Sequence, residues 1–405
     1  MLSVQLSFKG MRILIIGGGK QAWRKAQTFL KEEALITMCS ITFLEEVPEQ
    51  LRLTRNYHPE VLDGYALVYA CTNDPVLNHA IVQDANKLHI LSASIHQDEA
   101  ATLHSMRERH FPYLDVALTT KGASPAYGST LLSEIEQNYH DHHHERMACL
   151  DVLRKQVRKV CDSPEQRSSF LKKLAQEDMT WLTFLRDALK EQNANVFCLH
   201  GNSNKDTLTC IHSFLEHFTG AVTAAYLNPA GTIHSIVEVK EALHLLQIPA
   251  QYWSITLEEG RISHKIQELL EGEETLQCTI TAKELLALFP YDPSSQIVLV
   301  LHESKSNTLY QGLKERLPEN WKVMNLKDPL PVCDPNNEII LVPVLLLKGK
   351  HFLRDILSQE GLYGKLTERY SDVRVIDQCL MENPHYREWL YQKVIQYNKR
   401  EVLSV

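Results

Sequence analysis

The chain has 405 residues, 44% hydrophobic and 23% charged, enough to bury sizeable cores in two or three domains. Lys and Arg total 42 against 50 Asp and Glu, and the net charge of −8 excludes a general nucleic-acid binder while leaving room for a local basic patch. Nine scattered Cys without a C-x-x-C pair exclude a disulfide framework or a zinc site, and the apolar runs are too short to span a bilayer. The N-terminus lacks a long apolar leader, so the expectation is a cytoplasmic protein with neither nucleic acid nor membrane as partner.

Residues 1–113 alternate short apolar runs with helical patterns. Met11–Ile16 reads as a buried strand that breaks into Gly17-Gly18-Gly19 and then a helix with Ala22, Ala26, Phe29 and Leu30 on one face. Strands follow at Leu35–Met38, Tyr65–Ala70 and His89–Ala93, a spacing that predicts a parallel, doubly wound, Rossmann-like sheet. Residues 114–193 form a second zone. Its stretch 126–193 has a helical composition, with no Gly between Gly128 and Gly201, and reads as a connector or oligomerisation segment. Residues 194–405 return to alternation, with strand-like runs at Val196–Leu199, Ile297–Leu301 and Ile339–Leu347, and are read as a second α/β domain. Two of those runs end in His200 and His302, a weak sign of two similar halves.

Gly17-Gly18-Gly19-Lys20-Gln21-Ala22 lies between a strand and a helix, the context of a dinucleotide fingerprint. Glycine suits this turn because a bare backbone lets a pyrophosphate reach the helix N-terminus. Where an acidic residue would hold the ribose, Cys39 and Ser40 stand instead, so NAD and NADP both remain open.

In their order and spacing, Gly17 to Ala22, Arg24-Lys25, Arg55, Tyr57, Ala70 to Asp74, Asn78 and Thr119 to Pro125 resemble the precorrin-2 dehydrogenase family, the N-terminal part of siroheme synthase. The resemblance implies oxidation of the tetrapyrrole precorrin-2 to sirohydrochlorin with NAD, a cofactor site including Thr72 and Asn73, a substrate site including Asn78 and Ser124, and a homodimer made through the helical segment. Lys20, Arg24, Lys25, Arg107, Arg109 and Lys121 supply cations for a substrate rich in carboxylates, although a solvated surface charge is the commoner role for any one of them. The family's catalytic Asp falls on His96, with Asp98 two residues on, and a His there can still accept a proton near neutral pH.

The run Ile339 to Leu347 leads into Gly349-Lys350-His351 and Asp355-Ile356, which resembles the signature of the small sirohydrochlorin chelatases; His302 matches that family's other His, within a degraded motif. The resemblance implies insertion of a divalent metal, Fe2+ or Co2+, as substrate. Neutral imidazole can both deliver such an ion and take the pyrrole protons, and His200, His302 and His351 all follow strand-like runs. Glu303 reads as an accessory base or, more simply, a loop carboxylate, and His140, His143 and His144 as one face of a solvated helix. The leading expectation is a bifunctional enzyme. The alternatives are a dehydrogenase with a degenerate chelatase-like domain and a non-catalytic tetrapyrrole- or NAD-binding regulator.

Overall fold

Five parallel strands in the order β3-β2-β1-β4-β5 organise the first 95 residues, as the alternation of apolar runs and helices requires. The computed structural model describes residues 3–96, 98–121, 123–200, 205–229, 233–289, 291, 295–302, 308–349 and 351–402. It divides into unit 1, Met1–His144, and unit 2, Glu145–Val405. The division falls inside the 114–193 zone expected as a separate segment.

Unit 1 runs β1 (Arg12–Ile16), α1 (Lys20–Lys31), β2 (Leu35–Ser40), β3 (Arg52–Thr54), β4 (Leu67–Ala70), α2 (Pro75–Lys87) and β5 (Leu91–Ser94). Helices cover both faces of this sheet, so residues 13–16 of β1 and Leu67–Ala70 of β4 are buried apolar runs rather than alternating. Ile13 and Ile15 pack with Ala22, Ala26 and Phe29 of α1, whereas Leu14 and Ile16 pack with Ile81, Val82 and Ala85 of α2. An antiparallel hairpin follows, β6 (Arg107–Phe111) and β7 (Leu114–Leu118), then α3 (Pro125–Asn138). The start of the expected helical zone is therefore a strand: Leu114–Leu118 pairs with Arg107–Phe111, its charges turned to solvent.

A π-helical turn, Tyr139–His143, closes unit 1 and corrects the expected histidine face. The wider turn moves i+3 neighbours apart. His140 and His144 stay together with ring centroids 6.5 Å apart, while His143 instead neighbours His142.

Unit 2 begins in the helices α4 (His144–Val160, whose first residue belongs to unit 1), α5 (Pro164–Leu174) and α6 (Met179–Glu191). It continues through β8 (Ala194–Leu199), α7 (Lys205–Leu215), β9 (Val222–Tyr226), α8 (Ile236–Leu246), β10 (Ala250–Ile255), α9 (Arg261–Leu269) and β11 (Thr275–Cys278). Then come α10 (Ala282–Ala287), β12 (Gln296–Leu301), α11 (Thr308–Lys314), β13 (Trp321–Asn325), β14 (Ile339–Val344), α12 (Leu362–Thr367), β15 (Val373–Val375) and α13 (Pro384–Val402). The strands form two four-stranded parallel sheets, β11-β10-β8-β9 and β13-β12-β14-β15. Numbered from its own first strand, each sheet reads 2-1-3-4 from one edge, so the two share one strand order. A core cluster containing Phe197, Leu199, Trp253, Val298, Leu299, Leu341 and Tyr386 draws on both sheets and on α13. Among the described residues no helix is long and apolar enough to cross a membrane.

Candidate functional site

In unit 1, β1 lies between β2 and β4 and delivers the glycine turn at the sheet's carboxyl edge. Gly17 has φ of 137°, and a Cβ on it would lie 2.2 Å from the Cys71 carbonyl oxygen. On Gly18 it would lie 1.9 Å from the Thr42 carbonyl oxygen. Both are glycine because neighbouring backbone stands against them. Gly19 is different: a Cβ there meets nothing within 4 Å. It is the N-cap of α1, no side chain accepts from the first-turn N–H groups, and that turn holds no acidic residue. A bare helix N-terminus facing open space fits a pyrophosphate, whose charge the N–H groups and the helix dipole favour.

Lys20 and Gln21 are exposed in this first turn. Ala22, expected at the cofactor, is instead fully buried among the core residues that join α1 to the sheet, so its smallness serves close packing. At the end of β2, Cys39 is buried and the Ser40 hydroxyl accepts from the Thr42 N–H at 3.4 Å.

The opposite rim is the loop after β4. Asn73 is exposed there, and Asp74 caps α2 by accepting from the N–H groups of Val76 and Leu77. Asn78 corrects the sequence reading. It is 1% exposed, and its amide accepts from the Thr72 N–H at 3.0 Å and hydroxyl at 2.8 Å while donating to the Thr72 carbonyl at 3.0 Å. Asn78 therefore fixes the shape of the Thr72–Asn73 loop rather than facing a substrate.

Beyond β5, His96 is exposed and its backbone N–H donates to the Ser94 hydroxyl at 3.2 Å. Asp98 is not an open carboxylate: Oδ2 lies 3.0 Å from Nδ1 of His79 on α2, and Oδ1 accepts from the Ala100 N–H at 2.9 Å. Burial works to raise its pKa, but the hydrogen bonds from His79 and Ala100 and the nearby His79 and His104 outweigh it and hold the carboxyl below its ordinary value. His79 escaped the sequence reading because a His on a helix reads as a solvated side chain, and its partner stands 19 residues away.

Lys25 donates to the Ser105 hydroxyl at 3.2 Å and lies over the Tyr69 ring, and Arg24 is exposed on α1. Arg107 and Arg109 stand on the hairpin, where Arg109 pairs with Glu136 of α3 at 3.2 Å. Lys121 is exposed with a positive φ of 51°. The Ser124 hydroxyl caps α3 by accepting from the Tyr127 N–H at 3.3 Å.

In unit 2, His200 and His302 immediately follow β8 and β12, the first strands of their respective sheets, and both are exposed. β12 and β14 pair in parallel from Gln296↔Ile339 to Leu301↔Val344, so His302 and the Gly349 turn leave neighbouring strand ends. His351 begins a π-helical turn, His351–Leu357, in which Asp355 pairs with Arg354 at 2.5 Å. Glu303 lies outside the described residues, as do the other residues of 303–307. Among the described residues no group of three His, Cys, Asp or Glu is placed to hold a metal.

Past the end of β14, Lys348 is buried, pairing with Glu382 at 2.9 Å and with the exposed Asp377 at 3.0 Å. Glu382 also accepts from the Thr207 hydroxyl of α7 at 2.7 Å. A charged network thereby ties the β14 end to the helix that follows β8.

An NAD(P)-binding family model matches residues 4–105, the span of the five-stranded sheet and its glycine turn. The precorrin-2 dehydrogenase of Priestia megaterium is 31% identical over 147 residues, covering 34% of this chain and 71% of that one. Siroheme synthase 1 of Aeromonas hydrophila is 29% identical, with 38% of this chain and 35% of that one covered; the siroheme synthase of Photorhabdus laumondii is 28% identical, with 42% and 37% covered. The chain thus spans about a third of the length of these siroheme synthases. A solved structure, SirC, a precorrin-2 dehydrogenase, aligns over 45% of this chain and 92% of its own at 22% identity and a TM-score of 0.37. With 71% of the Priestia megaterium protein matched at 31% identity, and an NAD(P)-binding family model over residues 4–105, the chain belongs to the precorrin-2 dehydrogenase family.

Proposed function

We propose that unit 1 oxidises precorrin-2 to sirohydrochlorin with NAD+ and that unit 2 inserts a divalent metal, Fe2+ or Co2+, into the product, in a homodimeric enzyme of siroheme synthesis. The uncapped N-terminus of α1, open in front of Gly19, carries the first step. Gly17 to Lys20 on one rim and Thr72–Asn73 on the other would hold the dinucleotide, which supplies the two-electron acceptor when bound. Arg24 and Lys121 offer exposed donors to a tetrapyrrole carrying many carboxylates. His302 and the His351 turn, leaving neighbouring strand ends, support the metal step, since imidazole suits both Fe2+ and Co2+. The hairpin tip, with Tyr113 and Leu114 exposed, offers a surface that a second copy would cover.

An anaerobic absorbance time course with precorrin-2, NAD+ and then metal tests both steps against a no-enzyme control. The wild-type protein is expected to form NADH and sirohydrochlorin together and then to shift the product's band faster than the control. A variant carrying His302→Ala and His351→Ala should keep the first step and fall to the spontaneous rate in the second. Absence of NADH from the wild type sinks the first assignment, and wild-type metal insertion by the double variant sinks the second.

A further inference from the structure

We propose, resting on the dinucleotide site assigned above, that unit 1 binds NADP+ at least as tightly as NAD+ and that Arg55, Ser40 and Thr42 hold the 2′-phosphate that distinguishes the two. That phosphate sits on the adenosine ribose, so the groups beside the ribose decide between the dinucleotides. A turn that selects NAD+ places a carboxylate past its second strand, where it accepts from the ribose 2′-hydroxyl; a turn that takes NADP+ places an arginine nearby. This chain has no acid at that place. β2 ends in Cys39 and Ser40, and Ile41, Thr42, Phe43 and Leu44 follow.

The end of β2 lies directly against the glycine turn. The ladder that pairs Ile16 with Cys39 continues into the turn, where the Gly17 N–H donates to the Cys39 carbonyl at 2.9 Å. The next residues stand beside Gly18. A Cβ there would lie 3.0 Å from the Ser40 Oγ and 1.9 Å from the Thr42 carbonyl oxygen, and the Leu44 N–H donates to the Gly18 carbonyl at 3.1 Å. The Ser40 hydroxyl accepts from the Thr42 N–H at 3.4 Å, which leaves its own O–H to donate. Thr42 is exposed next to it. A dinucleotide whose pyrophosphate sits at the N-terminus of α1 brings its adenosine ribose to this strand end.

Arg55 comes to the same place from β3. That strand pairs with β2 as far as Ser40↔Thr54, and Arg55 is the next residue. Its N–H donates to the Ser40 carbonyl at 3.2 Å, and the Cys39 thiol donates to its carbonyl at 3.5 Å. Burial raises the pKa of Cys39 and the Arg55 charge acts against that rise, which puts the guanidinium at the end of β2 as well. Arg55 is exposed, and among the described residues its guanidinium makes no hydrogen bond or ion pair. Arg52 is different: its guanidinium donates to the carbonyls of Leu44, Glu45 and Val47 and holds the loop in shape. A guanidinium and two hydroxyls are a donor set for a phosphate dianion. The first carboxylates after β2, Glu45 and Glu46, come only beyond the bond from Leu44 to Gly18.

Calorimetric titration of the full chain with NADP+ and with NAD+, in the absence of tetrapyrrole, reads binding apart from turnover. The wild-type protein is expected to bind NADP+ at least as tightly as NAD+. Arg55→Ala should lower the ratio of NADP+ to NAD+ affinity by about 30-fold, the scale of a lost charge-assisted hydrogen bond. Ser40→Asp supplies the missing carboxylate in a side chain that can still accept from the Thr42 N–H, and should lower the same ratio by about 100-fold through repulsion of the phosphate. A general loss of folding lowers both affinities together, so the ratio isolates the phosphate contact. Wild-type affinity for NADP+ about tenfold or more below that for NAD+ overturns the proposal, with Glu45 or Glu46 then the candidate ribose acceptor. An unchanged ratio in Arg55→Ala overturns it too. Either result leaves the dinucleotide site and the oxidation assignment intact, whereas a wild-type protein that binds neither dinucleotide removes the site and the proposal together.

Discussion

The glycine turn of unit 1 and the histidine-bearing strand ends of unit 2 occupy the same kind of place, the carboxyl edge of a parallel sheet, yet they are made of different material. The turn is backbone: Gly17 and Gly18 are pinned by the carbonyls of Cys71 and Thr42, and Gly19 leaves helix N–H groups open. The strand ends of unit 2 carry side chains, His200 and His302, and past the end of β14 the buried Lys348 pairs with buried Glu382 and exposed Asp377. A site made of backbone tolerates almost no change at its glycines but is indifferent to many side chains around it. A site made of side chains inverts that tolerance, because its scaffold survives replacement of any one donor.

Substitutions at the turn separate the two glycine roles most sharply. Gly18→Val drives a side chain into the Thr42 carbonyl and should cost about 3 kcal/mol or more, with loss of NAD+ binding. Gly19→Ala meets no protein atom, so thermal melting should move by only a few tenths of a kcal/mol while NAD+ affinity, read by calorimetry, falls about tenfold. An unchanged affinity would remove the turn as the cradle.

In unit 2, Lys348→Met leaves Glu382 buried without its cation and should cost about 3 kcal/mol in chemical denaturation. A near-neutral outcome would mean that the edge does not depend on the network past the end of β14.

The smallest effect concerns pH. Glu284 pairs with Lys393 at 2.8 Å and accepts from the Thr281 N–H and hydroxyl. Burial opposes ionisation, but these partners win and hold its pKa at about 2. With a folded value below the ordinary 4.5, the stabilisation is full above about 4.5 and disappears as pH falls toward 2. Glu284→Gln should therefore lower stability by about 1 kcal/mol at neutral pH and by nothing measurable near pH 2, in paired thermal melts.

The doubly wound sheet was legible in the sequence because strands covered on both faces, such as residues 13–16 of β1 and Leu67–Ala70, are unbroken apolar runs. The turn was legible because its glycines are contiguous. The hairpin of Arg107–Phe111 and Leu114–Leu118 was not, since its residues are mostly exposed and Arg, Glu, His and Asp interrupt any alternation. Nor was the π-helical turn, whose histidines fit an α-helical face equally well on paper. At the candidate site the short-range features were read and the long-range ones missed. Asp98 was singled out because it lies two residues past His96, but the His79 that holds it comes from another element. Asn78 was assigned to a ligand because nothing in its neighbours' identities reveals that both ends of its amide are taken by Thr72.

The strand order shared by the two sheets of unit 2 has a consequence for how that region can change over time. A chain that carries one wiring twice has two equivalent ledges, after β8 and after β12, on which the same chemistry can stand. One ledge can lose its reactive side chains and keep its sheet, because core residues such as Val298 and Leu341 hold the fold without them. A change of side chains at one ledge therefore leaves both its own sheet and the other ledge in place.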